Sequence, residues 1–183
     1  YERDFLKRTR QGFYDAIPGL SIWKIPSFEF SDIKVNKMMN RVNKSPALIL
    51  DLRGNAGGLL YSLEELVNAF FNRDVTIGEI RYRKKTEVNV LKGDGKKAFT
   101  GKLIVLIDGE SSSAAEMFAR IVQLEKRGIV IGDLSSGQVM LSVVIPHFHG
   151  LENRIGYGFS ITIADLLMKD GQRLEKIGVT PDE

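Results

Sequence analysis

The stretch Asp108-Gly-Glu-Ser-Ser-Ser-Ala-Ala-Glu-Met117 puts three hydroxyls where an apolar run, Leu103 to Ile107, gives way to a helical pattern, Ala114 to Lys126. A serine at such a junction could act as a nucleophile. The turn holds its hydroxyl still, and the free N–H groups of the helix start point at whatever that hydroxyl attacks. The same residues are good helix caps, and Ser111, Ser112 or Ser113 could each serve as one. A second motif, Arg53-Gly-Asn-Ala-Gly-Gly58, follows the apolar run Ala47 to Leu52. Gly54, Gly57 and Gly58 let bare backbone face a ligand, as an oxyanion hole requires, although a tight strand-to-helix turn needs glycines too. It is not a P-loop, because no Gly-Lys-Ser/Thr follows. A third loop, Gly132 to Gln138, follows the short apolar run Ile129 to Ile131.

Other chemistry is narrower. There is no cysteine, which excludes disulfides, thiolate catalysis and Cys-ligated zinc. His147 and His149 are two apart and would share one face of a strand, but no acidic third ligand is close, so no metal is expected. Asp51 is expected to hold the glycine loop through backbone N–H bonds. Arg53 could clamp a substrate carboxylate or pair with an acid such as Asp51. Glu116 reads as a first-turn acid favoured by the helix dipole. Arg81, Arg83, Lys84, Lys85, Lys92, Lys96 and Lys97 gather locally, with only Tyr82 interleaved, which suits a solvated hairpin better than a nucleic-acid groove.

The elements that position these residues follow from periodicity. The chain has 183 residues, 43% hydrophobic and 27% charged, with a net charge of +3, enough for one substantial globular domain. No apolar run approaches the length of a membrane span. Residues 1–18 read as a linker or N-terminal helical segment, closed by the turn Pro18-Gly19. Strands are expected at Leu20 to Ile25, Ala47 to Leu52, Val75 to Arg83, Thr86 to Leu91, Leu103 to Ile107, Ile129 to Ile131, 138–146 and 155–164. Helices are expected at Ser31 to Asn43, Leu59 to Phe71 and 114–127, the last stopped by Gly128 at its C′ position. Strands alternating with helices predict a layered α/β domain over 19–183, with mostly parallel core strands and an antiparallel C-terminal extension. The three loops would then share one sheet edge.

With these residues in place, the sequence resembles the tail-specific, or C-terminal processing, serine peptidases. Leu50-Asp-Leu-Arg-Gly-Asn-Ala-Gly-Gly58 is similar to their DLRxNxGG motif, and Ser111-Ser-Ser-Ala-Ala-Glu116 to their SASASE motif. Gly132 to Val139 takes the place of GExTFGKG, and Leu174 to Asp182 resembles the closing xEGxGxxPD segment. Ser27-Phe28 matches the I-x-SF strand. These motifs keep the family's order and spacing across roughly residues 20 to 183. The resemblance implies a crotonase/ClpP-like fold, peptide-bond hydrolysis and a peptide or protein substrate, without metal or organic cofactor. It makes Ser113, three before the glutamate, the nucleophile, with Ala114 and Gly58 N–H groups as the oxyanion hole.

The general base departs from the pattern. The lysine of the Ser–Lys members falls at Gln138, which has no titratable group. The resemblance is therefore closer to the Ser–His–Glu, tricorn-type branch, whose glutamate matches Glu175. That branch takes its histidine from upstream of the glycine-loop strand, where this sequence has none. The expectations are a histidine from upstream of Tyr1 in a longer protein, service by His147 or His149, or an inactive domain that binds peptide. A crotonase-like acyl-CoA enzyme is a further class that the glycine loop would suit. The resemblance also implies a PDZ-like domain upstream and a periplasmic or secreted location, with a cytoplasmic one left open. It does not give the oligomeric state.

Overall fold

The computed structural model describes residues 12–93, 98–149 and 155–183. Two sheets organise them. The first has the order β1-β2-β3-β6-β7 and the second β5-β4-β9-β8. In the first sheet, β2 (Leu20–Lys24), β3 (Ala47–Asp51), β6 (Lys102–Ile107) and β7 (Ile129–Gly132) run parallel. Their apolar runs are almost unbroken, as a parallel strand buried on both faces requires. β1 (Gly12–Ile17) adds an antiparallel edge to β2.

The expected helical or linker segment over 1–18 is thereby corrected for 12–17; residues 1–11 lie outside the described residues. Pro18 and Gly19, the latter at φ 87°, make a hairpin turn that folds the segment back along β2. The pairing of Phe13 with Trp23 then holds it there.

The parallel strands are linked by helices α1 (Asp32–Val42), α2 (Leu60–Phe70) and α3 (Ala114–Leu124). In α2, Leu63, Leu66, Val67 and Phe70 recur at i, i+3, i+4 and i+7 and are all buried. Phe70 meets Phe118 of α3 edge-on at 5.8 Å between ring centroids. Trp23, Phe28, Phe70 and Phe118 are fully enclosed, each contributing about 1.5–3 kcal/mol of burial. The C-terminus of α3 differs from expectation. Lys126, at φ 51°, takes the left-handed C′ position, and Arg127 N–H returns to Val122 O in a Schellman closure. Gly128 is needed for another reason: a Cβ there would lie 2.4 Å from Leu103 O.

The second sheet is wholly antiparallel: β4 (Val75–Tyr82), β5 (Thr86–Leu91), β8 (Met140–His149) and β9 (Ile155–Met168). The last five residues of β9 pair with β4, whereas its first eight pair with β8 alone, and Ile163 between them sits at a register shift. The β8–β9 hairpin therefore leaves the body as a two-stranded arm. Three of the basic residues of β4 and its neighbours are in ion pairs, Arg81 with Glu79, Lys85 with Glu87 and Lys92 with Asp74. No helix among the described residues is long and apolar enough to cross a membrane.

Candidate active site

Because β3, β6 and β7 are parallel neighbours, the segments that follow them emerge at one edge of the sheet. They are the glycine loop, the serine turn and the loop running to Val139. The serine turn is stitched to both others. Ser112 N–H donates to Asn55 O at 2.9 Å, and Ser136 N–H to Ser111 O at 3.0 Å.

The three serines are thereby told apart. Ser111 is fully buried; its hydroxyl lies 2.9 Å from Leu52 O and accepts Asp108 N–H at 3.0 Å. That is a structural post beneath the turn. Ser112 accepts Ala115 N–H through its carbonyl, at 3.1 Å. Ser113 is the N-cap of α3 and lines a pocket of about 310 Å³. Its backbone sits at φ 54°, ψ −117°, a conformation that L-residues rarely adopt and that persists only where surrounding contacts over-determine it.

Glu116 supplies much of that determination. It is fully buried on the first turn of α3. One oxygen accepts the Ser113 and Gln138 N–H groups, both at 3.0 Å. The other accepts the Ser135 hydroxyl at 2.6 Å and Gly137 N–H at 2.7 Å. Ser135 Oγ in turn accepts Val179 N–H at 2.6 Å, so the closing segment joins the same network. Dipole favour, the role expected from sequence, is the smaller part of what this residue does. Ser113 N–H also approaches Gln138 O at 3.0 Å, which fixes position 138 beside the turn.

The glycine loop presses against the serine turn from the other side. A Cβ on Gly57 would lie 2.6 Å from Ser113 Cβ and 3.2 Å from Ala114 N, and one on Gly58 would lie 2.5 Å from Phe28 O. Both residues have φ in the glycine region, 86° and 145°. Asn55, fully buried, shapes the loop by accepting Gly57 N–H at 2.8 Å and donating to Ile25 O at 2.8 Å. Asp108 anchors its start by accepting Gly54 N–H at 2.9 Å. Gly58 and Ala114 both line the Ser113 pocket. Neither of their N–H groups donates to a described residue. Ile80, Met117, Leu141 and Leu166 make the rest of the pocket largely apolar.

The remaining expected residues fall in different places. Gln138 is at the site, but its side-chain amide donates to Ser136 Oγ at 2.8 Å. Glu175 accepts Val139 N–H at 2.8 Å, one residue along from Gln138. His147 is corrected as a site residue. The pocket is lined by β8 only as far as Ser142, and His147 lies five residues farther along that strand, about 16 Å at strand rise. There it is exposed and stacks on Tyr157, with ring centroids 4.9 Å apart. His149 is two residues farther out on β8, and its side chain lies outside the described residues.

Asp51 and Arg53 form a second charged group at the same edge. Arg53 holds Asp51 through two side-chain hydrogen bonds of 2.9 Å, and Lys24 Nζ approaches it at 3.4 Å. Burial pushes the Asp51 carboxyl up, but the Arg53 hydrogen bonds and the Lys24 charge outweigh it, so its pKa falls below the ordinary value. Asp51 accepts one loop N–H, from Arg53 at 3.1 Å; Asn55 and Asp108 hold the glycines. Asn55 and Asp108 are the site-shaping residues that sequence reasoning missed, whereas Ser135 and Ser136, read from sequence as loop caps or cleft hydrogen-bonders, both bond there. An Asx residue inside a glycine loop was the available signal for Asn55. No group of three potential metal ligands occurs among the described residues.

Comparison with known proteins fits this geometry. The chain is 32% identical over 161 residues to the carboxy-terminal-processing protease of Bartonella bacilliformis, covering 84% of this chain and 35% of that protein. It is 24% identical over 173 residues to the carboxy-terminal processing protease CtpA of Bacillus subtilis, covering 92% and 36%. It thus spans about a third of the length of these relatives. Among solved structures, the photosystem II D1 C-terminal processing protease superposes with a TM-score of 0.67 at 22% identity, covering 89% of this chain and 41% of that one. The fold is therefore that of these proteases, as the layered α/β pattern implied. Residues 20–183 match the family described as peptidase family S41, and the chain belongs to it.

Proposed function

We propose that this chain is the catalytic part of a serine endopeptidase that processes protein C-termini or unfolded protein. The observation that carries the reading is the strained Ser113 turn, with the Gly58 and Ala114 N–H groups beside it at the mouth of an apolar pocket. Ser113 Oγ would attack the scissile carbonyl carbon, its proton passing to a base. The carbonyl oxygen would take up charge against the two N–H groups. Collapse of the tetrahedral intermediate would release the amine, and water would then hydrolyse the Ser113 ester. The base is a histidine carried by a part of the longer protein beyond this chain, oriented by Glu175. Gln138 cannot serve, and His147 is too far along the arm. The relatives that share the motifs are C-terminal processing proteases, which is the support for a peptide or protein substrate.

The test is labelling of the full-length protein by a fluorophosphonate probe, with Ser113→Ala and Gln138→Lys variants beside it. Labelling that disappears in Ser113→Ala and gains nothing from Gln138→Lys is the expected result. Gln138 favours the second reading, a non-catalytic peptide-binding module on the same fold. That reading predicts no labelling of the wild type, with labelling emerging only in Gln138→Lys.

A further inference from the structure

The outward half of the β8–β9 arm has two unlike faces. Cross-strand pairing places Val143 opposite Ile161, Ile145 opposite Phe159 and His147 opposite Tyr157 on one side, with Ile163 beside them at the register shift of β9. The six aliphatic and aromatic side chains other than His147 are between 37% and 59% exposed. The reverse face pairs Ser142 with Thr162, Val144 with Ser160 and Pro146 with Gly158. Nearer the body, past the register shift at Ile163, this apolar side continues into the inner face of the four-stranded sheet, where Leu141 sits opposite Ala164 and Ile80 opposite the buried Leu166. The reverse face joins the outer face, where Arg81 sits opposite Asp165 and pairs with Glu79 on its own strand. The arm thus carries the core-facing side of the sheet outward, where its side chains are half-exposed.

A two-stranded ribbon is marginal in water by itself, and a ribbon with one apolar face needs something packed against it. We infer that the occupant is a second copy of this chain, the two arms packing apolar face to apolar face about a two-fold axis. Six half-exposed aliphatic and aromatic side chains present on the order of 500 Å² per copy. Two copies would then bury on the order of 1,000 Å², the lower bound for a specific interface. The composition also fits, since no carboxylate, lysine or arginine lies on the patch and Phe159 and Ile161 sit at its centre, with Tyr157 and His147 at its outer end. A two-fold contact sets the same patch against itself, and an uncharged patch is self-complementary without any charge to match. β8 is an edge strand whose first residues line the Ser113 pocket, so dimerisation would fix the strand that forms one wall of the site.

The test is sedimentation equilibrium of the full chain with Phe159→Glu on the apolar face and Val144→Glu on the reverse face. Both sites are well exposed in the single chain, so both variants are expected to fold, Val144→Glu melting like the wild type and Phe159→Glu lower by the lost dimer stabilisation. Wild type and Val144→Glu should be dimers, whereas Phe159→Glu should dissociate at least about 100-fold more readily. Because the sequence has no cysteine, a single Ile161→Cys substitution adds an unambiguous probe and should form a disulfide-linked dimer under oxidation. A monomeric wild type overturns the inference. If the thiol introduced by Ile161→Cys resists alkylation in that monomer, another part of the same chain covers the face; if it reacts freely, the face is bare. Equal dissociation of both glutamate variants would also overturn it.

Discussion

Two buried carboxylates stand at the same sheet edge and are held in opposite ways. Asp51 is neutralised by cations, with Arg53 bound side-on and Lys24 at 3.4 Å. Glu116 is more deeply buried, and its four donors are three backbone N–H groups and a serine hydroxyl. A cation on a flexible stem balances charge but tolerates movement. Backbone donors fix geometry, because each belongs to a different point of the main chain. Glu116 therefore holds Ser113 and the 135–138 loop at set positions, whereas Asp51 ties one strand end and one side chain together.

The comparison is broken most severely by Glu116→Ala, which removes the shared acceptor of four donors, leaving only Ser113 N–H with a second one in Gln138 O, and should cost about 3–5 kcal/mol in urea unfolding. Glu116→Gln keeps the size but turns an amide donor toward donors. It should cost about 1–3 kcal/mol, and fluorophosphonate labelling of Ser113 should fall further than that stability loss explains. If labelling and stability fall in step, Glu116 is a structural prop only.

Asp51→Asn should cost about 1–3 kcal/mol, because Lys24 is left buried with only Arg53 O as a close partner. Labelling per folded molecule should stay within about threefold, since Asp51 supplies none of the serine-turn bonds. A large loss of labelling at full folding would erase the distinction between the two acids.

The pH dependence sharpens the same point. The Asp51 pKa is lowered in the folded state, so its stabilisation is fully present above the ordinary value of 3.8 and is lost as pH falls through the depressed one. The gap between wild type and Asp51→Asn should hold from neutrality to about pH 4 and close in more acid solution. A gap that stays constant through that window would show that the cost of Asp51→Asn is not its charge.

The smallest effect is expected from Arg53→Ala. The guanidinium is 53% exposed, and its loss should cost no more than about 1 kcal/mol, with the salt sensitivity of a surface pair.

Apart from β1, the sequence by itself determined the strand and helix segments, their α/β order and the three loops that meet at the sheet edge. It also singled out Ser113 and the glycines beside it. The segments and loops are set by side-chain periodicity or turn chemistry within a few residues, as at Pro18-Gly19 or Gly57-Gly58, whereas Ser113 is told from its neighbours by its place in the family's motif. The tertiary structure decided what sequence spacing cannot carry. Glu116 gathers donors from 19 to 22 residues away, and these are neighbours only because β6 and β7 lie side by side. His147 follows the Ser113 pocket closely in sequence, yet β8 carries it outward along the arm. The apolar arm is legible as two alternating strands, but its lack of cover shows only in the pairing, where β4 stops alongside Ala164 and β9 runs on with β8 alone. A strand's own pattern records which side is apolar; which neighbour reaches that side is fixed by where the other strands end.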